Sequence, residues 1–310
     1  AAGHDAAAAR AGGDAVSGQP TRATKAGQLY LALQREARAQ KRSTDELLQL
    51  HALEAFVARL VLSQRARDFV LKGGVLLAAY DVRRPTRDVD LSTHTLPNAP
   101  EALRAVVAEV AAYPLGDGWE LETLGAEPIR EDAVYGGVRV NLRASLARAR
   151  QEFHVDVSFG DPIVPAASSV TLRRLLGGEL VVSAYPLTMV LAEKLLTAVQ
   201  RGSVNTRWRD YADLYLLSNV WEVDGAELRR ALAGVAAARG VELRTLSSAT
   251  VGFALLAQAK WSAWVRKQGL GDRIPSDFAA VLVAVAAFAD PVLDGAAVHA
   301  TWQPKARQWG

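Results

Sequence analysis

Two glycines and, fourteen residues beyond the second, a pair of aspartates constrain this chain more than anything else in its sequence. The stretch runs FVLKGGVLLAAYDVRRPTRDVDL from Phe69 to Leu91. A short apolar strand ends at Gly73-Gly74, a helical turn follows, and a second strand carries Asp88 and Asp90. Side chains alternate across a strand, so the two aspartates share one face while Val89 and Leu91 take the other. Two carboxylates beside a glycine turn suit a divalent cation and a triphosphate. That combination belongs to nucleotidyl transfer.

Mg²⁺ takes oxygen ligands in near-octahedral geometry, usually one or two carboxylates plus phosphate and water. A third carboxylate would allow two ions to flank an in-line displacement at phosphorus. The run His154-Val155-Asp156-Val157-Ser158 offers one, with Asp156 on its polar face. Asp88, Asp90 and Asp156 are therefore the candidate metal ligands. Lacking Cβ atoms, Gly73 and Gly74 let backbone amides approach a phosphate, and the helix that follows would turn its positive end toward the same anion. Lys72 and Thr86 or Arg87 can add charge and hydrogen bonds. Neither Gly-x-x-x-x-Gly-Lys-Ser/Thr nor Gly-x-Gly-x-x-Gly after a strand is present, which argues against a P-loop NTPase and a Rossmann dehydrogenase.

The rest of the chain organises around this stretch. Residues 1–24 have no apolar period and predict a flexible tail. From Ala26 to about Arg67 the pattern is helical, with Ser43-Thr44-Asp45-Glu46 starting a second helix. Strands are expected at Phe69–Leu71, Arg87–Ser92, Trp119–Leu124, Val138–Ser145 and Glu152–Phe159, with helices at Val75–Asp81 and Pro100–Ala112. Tyr135-Gly136-Gly137 reads as the turn between the last two antiparallel neighbours. Beyond Tyr185 helices are expected over Pro186–Arg201, Arg207–Leu217, Ala226–Ala238, Ser247–Lys267 and Ser276–Ala289. This gives a core over 25–184 and a helical lobe over 185–310. Trp208, Trp261 and Trp264 read as packing residues rather than a base-stacking platform.

Two charges fall on apolar faces in the helical lobe. Lys194 sits within the stripe of Leu187, Val190, Leu191 and Ala198, where an ammonium is costly to desolvate unless it meets an anion. Asp210 shares a face with Leu214 and Leu217. The two can pair with each other or frame a nucleotide pocket.

Composition sets outer limits. The chain has 310 residues, about half hydrophobic, and no cysteine, so disulfides and cysteine-ligated clusters are excluded. No apolar run is long enough to span a bilayer, and a cytoplasmic protein is expected. The net charge is +3, with arginine well ahead of lysine, and the planar guanidinium suits phosphate. The five histidines make no zinc-protease pattern, and no serine-hydrolase elbow is present.

Lys72-Gly73-Gly74, Arg87-Asp88-Val89-Asp90, Val155-Asp156-Val157, Glu193-Lys194-Leu195 and Arg209-Asp210-x-x-Asp213 occur in an order that resembles the AbiEii/AbiGii nucleotidyltransferase toxin family, which includes the MenT toxins. The resemblance covers roughly residues 45–220. It implies an α+β fold with a DNA-polymerase-β-like sheet core, N-terminal helices and a C-terminal helical lobe. It further implies transfer of a nucleoside monophosphate from an NTP, often a pyrimidine, to the 3′ end of tRNA, with Mg²⁺ or Mn²⁺ as cofactor. Such transfer blocks aminoacylation and translation, and a cognate antitoxin neutralises it. By position the resemblance makes Asp88 and Asp90 metal ligands, places Lys194 on the triphosphate, and makes Asp210 the acid of the last motif with Asp213 its companion. Thr86 stands where relatives carry a hydroxyl that kinase-type antitoxins phosphorylate. Val75 departs from the Ser or Thr that many relatives have there.

The combined expectation is a catalytic set of Asp88, Asp90, Asp156, Lys194 and Asp210. Lys72, Gly73, Gly74, Thr86, Arg87, Lys194 and Asp213 would bind the nucleotide, and Asp156 would assist a second metal or receive the acceptor's proton. Arg59, Arg65 and Arg67, with Arg143, Arg148 and Arg150, could hold an RNA backbone. The competing readings are a protein or small-molecule (antibiotic) nucleotidyltransferase of the same fold, and a domain that binds without turnover.

Overall fold

Short oxygen-bearing side chains start the first two helices. In the computed structural model, which describes residues 20–129 and 136–310, the Thr24 hydroxyl accepts from the Gly27 amide at the head of α1 (Lys25–Ala39). Ser43 does the same for the Glu46 amide in α2 (Thr44–Leu62), satisfying donors that a first helical turn leaves open. Residues 1–19 of the expected tail lie outside the described residues. Every residue of α2 from Leu47 to Leu60 is buried, as expected of a helix covered on all sides.

A 3₁₀ turn (Gln64–Asp68) leads into β1 (Val70–Lys72). The helix expected after it is shorter than its apolar run suggests. One α-turn, α3 (Gly73–Leu76), passes into a 3₁₀ turn (Leu77–Tyr80), and Asp81 ends it in the left-handed conformation at φ 58°. So short a helix leaves individual amides, rather than a summed dipole, to act at Gly73-Gly74.

β2 (Asp88–Thr93), α4 (Pro100–Ala111), β3 (Glu120–Ile129), β4 (Gly137–Leu146) and β5 (Ala149–Phe159) follow. Tyr135 lies outside the described residues. Gly137 already belongs to β4, paired with Ile129 and Ser158, and the β4–β5 turn falls instead at Ala147-Arg148, with Ala147 at φ 49°. Two further strands, β6 (Ser168–Arg173) and β7 (Glu179–Ala184), form a hairpin that the sequence pattern did not announce.

The seven strands make one mixed sheet in the order β3-β4-β5-β2-β1-β7-β6. β2 runs parallel to β5, and β1 parallel to β7. Val89 and Leu91 are fully buried beneath the sheet while Asp88 and Asp90 stay half-buried on the other face. The alternation read from the sequence is the one observed.

The helical half contains α5 (Leu187–Arg201), α6 (Trp208–Val220), β8 (Val223–Asp224), α7 (Gly225–Arg239), α8 (Leu246–Ala249), α9 (Phe253–Lys267) and α10 (Phe278–Leu293). The single helix expected over Ser247–Lys267 is split, because Gly252 takes φ 72° and restarts the chain as α9. β9 (Thr301–Gln303) and β10 (Gln308–Trp309) join β8 in a small antiparallel sheet. Trp208 stacks on Phe253 and Trp261 packs against Phe278, so both serve packing. No described helix is long and apolar enough to cross a membrane.

Candidate active site

Strand register assembles the acids. Asp90 of β2 lies opposite Lys72 of β1 on one side and Asp156 of β5 on the other. Asp88, two residues back, projects from the same face. One oxygen from each of Asp88, Asp90 and Asp156 lies within 4.8 Å of the other two.

Each acid is held differently. The Thr86 hydroxyl donates to Asp88 at 2.5 Å, and Arg209 reaches its other oxygen at 3.9 Å. Burial alone would push Asp88 up, but Thr86, Arg209 and Arg84 outweigh it and hold the carboxyl below the usual range. Asp90 accepts from the Gly74 amide at 3.3 Å. Burial and the charges of Asp88 and Asp156 push it up to about 6. Asp156 is clamped by Arg139, whose Nε and Nη2 donate to its two oxygens at 2.8 and 2.7 Å.

The glycine pair makes this approach possible. Gly73 sits at φ +67°, and a Cβ on it would fall 1.8 Å from Asp90 Oδ2; one on Gly74 would fall 2.6 Å from Thr86 Oγ1. The space beside the turn belongs to the carboxylate. Three oxygen donors this close, one of them penalised by its neighbours' charge, fit a hard divalent cation.

The acids open onto a cleft of about 550 Å³ lined also by Lys72, Gly73, Gly74, Arg84, Lys194, Arg209 and Asp210. Lys72 bonds Asp161 at 2.5 Å, and Asp161 also accepts from Ser158 at 2.5 Å. Burial would lower the Lys72 ammonium, yet Glu193, Tyr185 and Asp161 hold it above the ordinary lysine value. Lys194 donates to Asp213 at 2.7 Å and to Asp210 at 3.3 Å. Arg84 grips Asp213 with two bonds, at 2.7 and 3.0 Å, and Arg207 bonds Asp210 at 2.8 Å. Both acids are pushed up by burial and pulled down further by these cations, so they lie below the usual carboxylate range.

Of the residues singled out from sequence, Lys72, Gly73, Gly74, Asp88, Asp90, Lys194 and Asp210 line the cleft, with Asp156 beside Asp90. Asp213 is fully buried behind Lys194 and does not line it. Thr86 is buried with its hydroxyl on Asp88, and Arg87 is exposed outside the lining. Arg84, Arg139 and Asp161 were missed. Only the β4–β5 register could have pointed to Arg139.

A mixed sheet presenting clustered carboxylates above a cleft that also holds Lys72, Lys194 and several arginines has the layout that nucleotidyl transfer needs. The fold matches a crystal structure of a Helicobacter pylori protein assigned as a nucleotidyltransferase, with a TM-score of 0.50 at 17% identity over 82% of this chain and 98% of that one. A second Helicobacter pylori structure, JHP933, gives a TM-score of 0.49 at 16% identity, covering 82% and 95%. No curated protein matches the chain in sequence. The family model described as "Nucleotidyl transferase AbiEii toxin, Type IV TA system" matches residues 55–284. The chain belongs to this AbiEii family: it is a nucleotidyltransferase toxin of a type IV toxin–antitoxin system. Membership implies a nucleotide substrate and a cognate antitoxin.

Proposed function

We propose that the protein transfers a nucleoside monophosphate, with a pyrimidine base, from an NTP to the 3′ end of tRNA in the cytoplasm, so that the tRNA can no longer be aminoacylated. The observation that carries the reading is the convergence of Asp88, Asp90 and Asp156 beside the Gly73-Gly74 turn. The choice of tRNA and of a pyrimidine rests on the family resemblance.

Asp88, Asp90 and Asp156 would hold Mg²⁺ or Mn²⁺, which when bound supplies charge neutralisation for the triphosphate. Lys194 and Lys72 face the same cleft and offset phosphate charge. Arg84 and Asp213 keep Lys194 aimed, because Asp213 is shared between them. The acceptor 3′-oxygen forms a bond to the α-phosphorus as the bond to pyrophosphate breaks, and holding both reactants in line removes much of the entropic barrier. Asp156, both of whose oxygens accept from Arg139, would assist the second metal or receive the hydroxyl proton as the bond forms. Residues 25–184 supply Asp88, Asp90, Asp156 and Lys72, and 185–310 supply Lys194, the division we propose for the two lobes.

Purified protein, each labelled NTP in turn and total tRNA, followed by sequencing of tRNA 3′ ends, reads nucleotide and acceptor together. Label should appear on tRNA from CTP or UTP. Absence of transfer by the wild type, or equal transfer by Asp88→Ala, overturns the reading, and label on protein or an aminoglycoside with dark tRNA replaces the acceptor.

A further inference from the structure

The arginines of the molecule differ in whether their charge is already spent. Arg59 is buried against Asp117 at 2.8 Å, and Arg65 lies between Asp68 and Glu109. Arg143 bridges Glu122 and Glu152, and Arg139 clamps Asp156. Of the arginines expected to hold RNA, Arg59, Arg65 and Arg143 are neutralised in place, whereas Arg67, Arg148 and Arg150 form no ion pair among the described residues but do not line the cleft.

The segment between α5 and α6 is different. Gln200, Arg201, Val204, Arg207 and Arg209 all line the cleft that holds Asp88 and Asp90. Arg244 lies against the end of α5, its Nη2 donating to the Val199 carbonyl at 3.2 Å. Arg207 and Arg209 reach Asp210 and Asp88, whereas Arg201 and Arg244 form no ion pair among the described residues. Val204, 83% exposed, adds an apolar contact in the middle of this lip.

We infer that the α5–α6 segment with Arg244 is the landing site for the sugar–phosphate backbone of a single-stranded polynucleotide acceptor, which it feeds toward Asp88 and Asp90. The inference rests on the nucleotidyl-transfer reading above and gives its acceptor a place. A polyanion gains most from cations that hold no acid partner, since binding then releases counterions without breaking an ion pair. Val204 offers apolar surface beside the arginines, whose guanidinium planes can stack on an unstacked terminal base.

The test uses the full chain, a short 5′-fluorescent RNA with a free 3′-hydroxyl, and UTP with Mg²⁺. Anisotropy across a salt series is measured for wild type, Arg201→Glu, Arg244→Glu and the double variant. Arg104→Glu, on α4 and outside the cleft lining, is the control, and Arg201→Gln with Arg244→Gln stands in if the charge reversal disturbs folding. The double variant should lose roughly tenfold in RNA affinity and flatten the dependence of log affinity on log salt by about 1.4, at about 0.7 per lost phosphate contact. UTP affinity, read by calorimetry, should stay within about twofold. Unchanged RNA binding, an equal loss in Arg104→Glu, or a parallel loss of UTP affinity each overturns the assignment, the last by placing these arginines on the triphosphate. Transfer to tRNA with an unchanged KM in the lip variants sinks the landing site and leaves the activity standing. RNA binding that depends on the lip, without transfer by the wild type, does the reverse.

Discussion

On the sheet side of the cleft three carboxylates share one patch, and among the described residues Asp90 has no cation within ion-pair distance. On the helical side Asp210 and Asp213, both buried, are enclosed by Arg84, Lys194 and Arg207. The two clusters differ in how fully their acids are paired: Arg139 and Arg209 reach Asp156 and Asp88, but Asp90 is left to its like-charged neighbours. Paired charges in a low-dielectric interior fix geometry, and removing one partner strands the other. Clustered like charges instead store an affinity for a cation. On the function proposed above, the helical network aims Lys194 and the sheet cluster holds the cation.

Four measurements bear on that contrast. The largest effect is expected for Asp90→Asn, which should lower transfer by about a thousandfold, or about 4 kcal/mol, while leaving the melting temperature unchanged or higher because like-charge repulsion is relieved. A stability loss with intact transfer would reverse the roles of the clusters. Next, Asp213→Asn should destabilise by about 3 kcal/mol or more in urea unfolding, because Arg84 and Lys194 lose their shared acid. A variant as stable as wild type would show that the network is not structural.

A smaller shift comes from the metal. At roughly a hundredfold over its Kd, Mg²⁺ should stabilise the wild type by about 2.7 kcal/mol and Asp90→Asn by much less. Equal stabilisation of both would place the cation elsewhere.

The smallest effect is the pH dependence, and its sign separates the clusters. Asp210 and Asp213 lie below the usual carboxylate range. Above the ordinary value they are ionised whether folded or unfolded, and their full contribution is present. As pH falls below it toward their folded values, the unfolded chain takes up protons first and stability is lost. Asp90, raised to about 6, acts the other way: metal-free wild type should gain stability as pH falls from about 6 to about 4. Urea midpoints of wild type and Asp90→Asn across this range should differ by that gain, and identical profiles would remove the like-charge argument.

Much of the sheet side was legible beforehand because strand alternation is local. Val89 and Leu91 against Asp88 and Asp90 follow from period two, and Asp156 was found the same way. The helical side was legible only in part. Lys194 and Asp210 betrayed themselves as charges on apolar faces, but the partner that organises them, Arg84, meets Asp213 across 129 residues of sequence, and nothing local records such a contact. Asp161 escaped for the same reason, being joined to Lys72 over 89 residues. β6 and β7 were missed because both are short and their period is broken by the paired Ser168-Ser169 and by Val181, an apolar residue that is 60% exposed between Leu180 and Val182. The two- and three-residue strands β8, β9 and β10 are too short to carry a period at all.

The turn at Gly73 has a consequence for anyone who diversifies this protein. The volume where a side chain at that position would begin is filled by the Asp90 carboxylate, and the backbone there is left-handed. Saturation mutagenesis at codon 73 should therefore yield inactive clones for all substitutions, even alanine; selection for toxicity would read that position as a single-letter word.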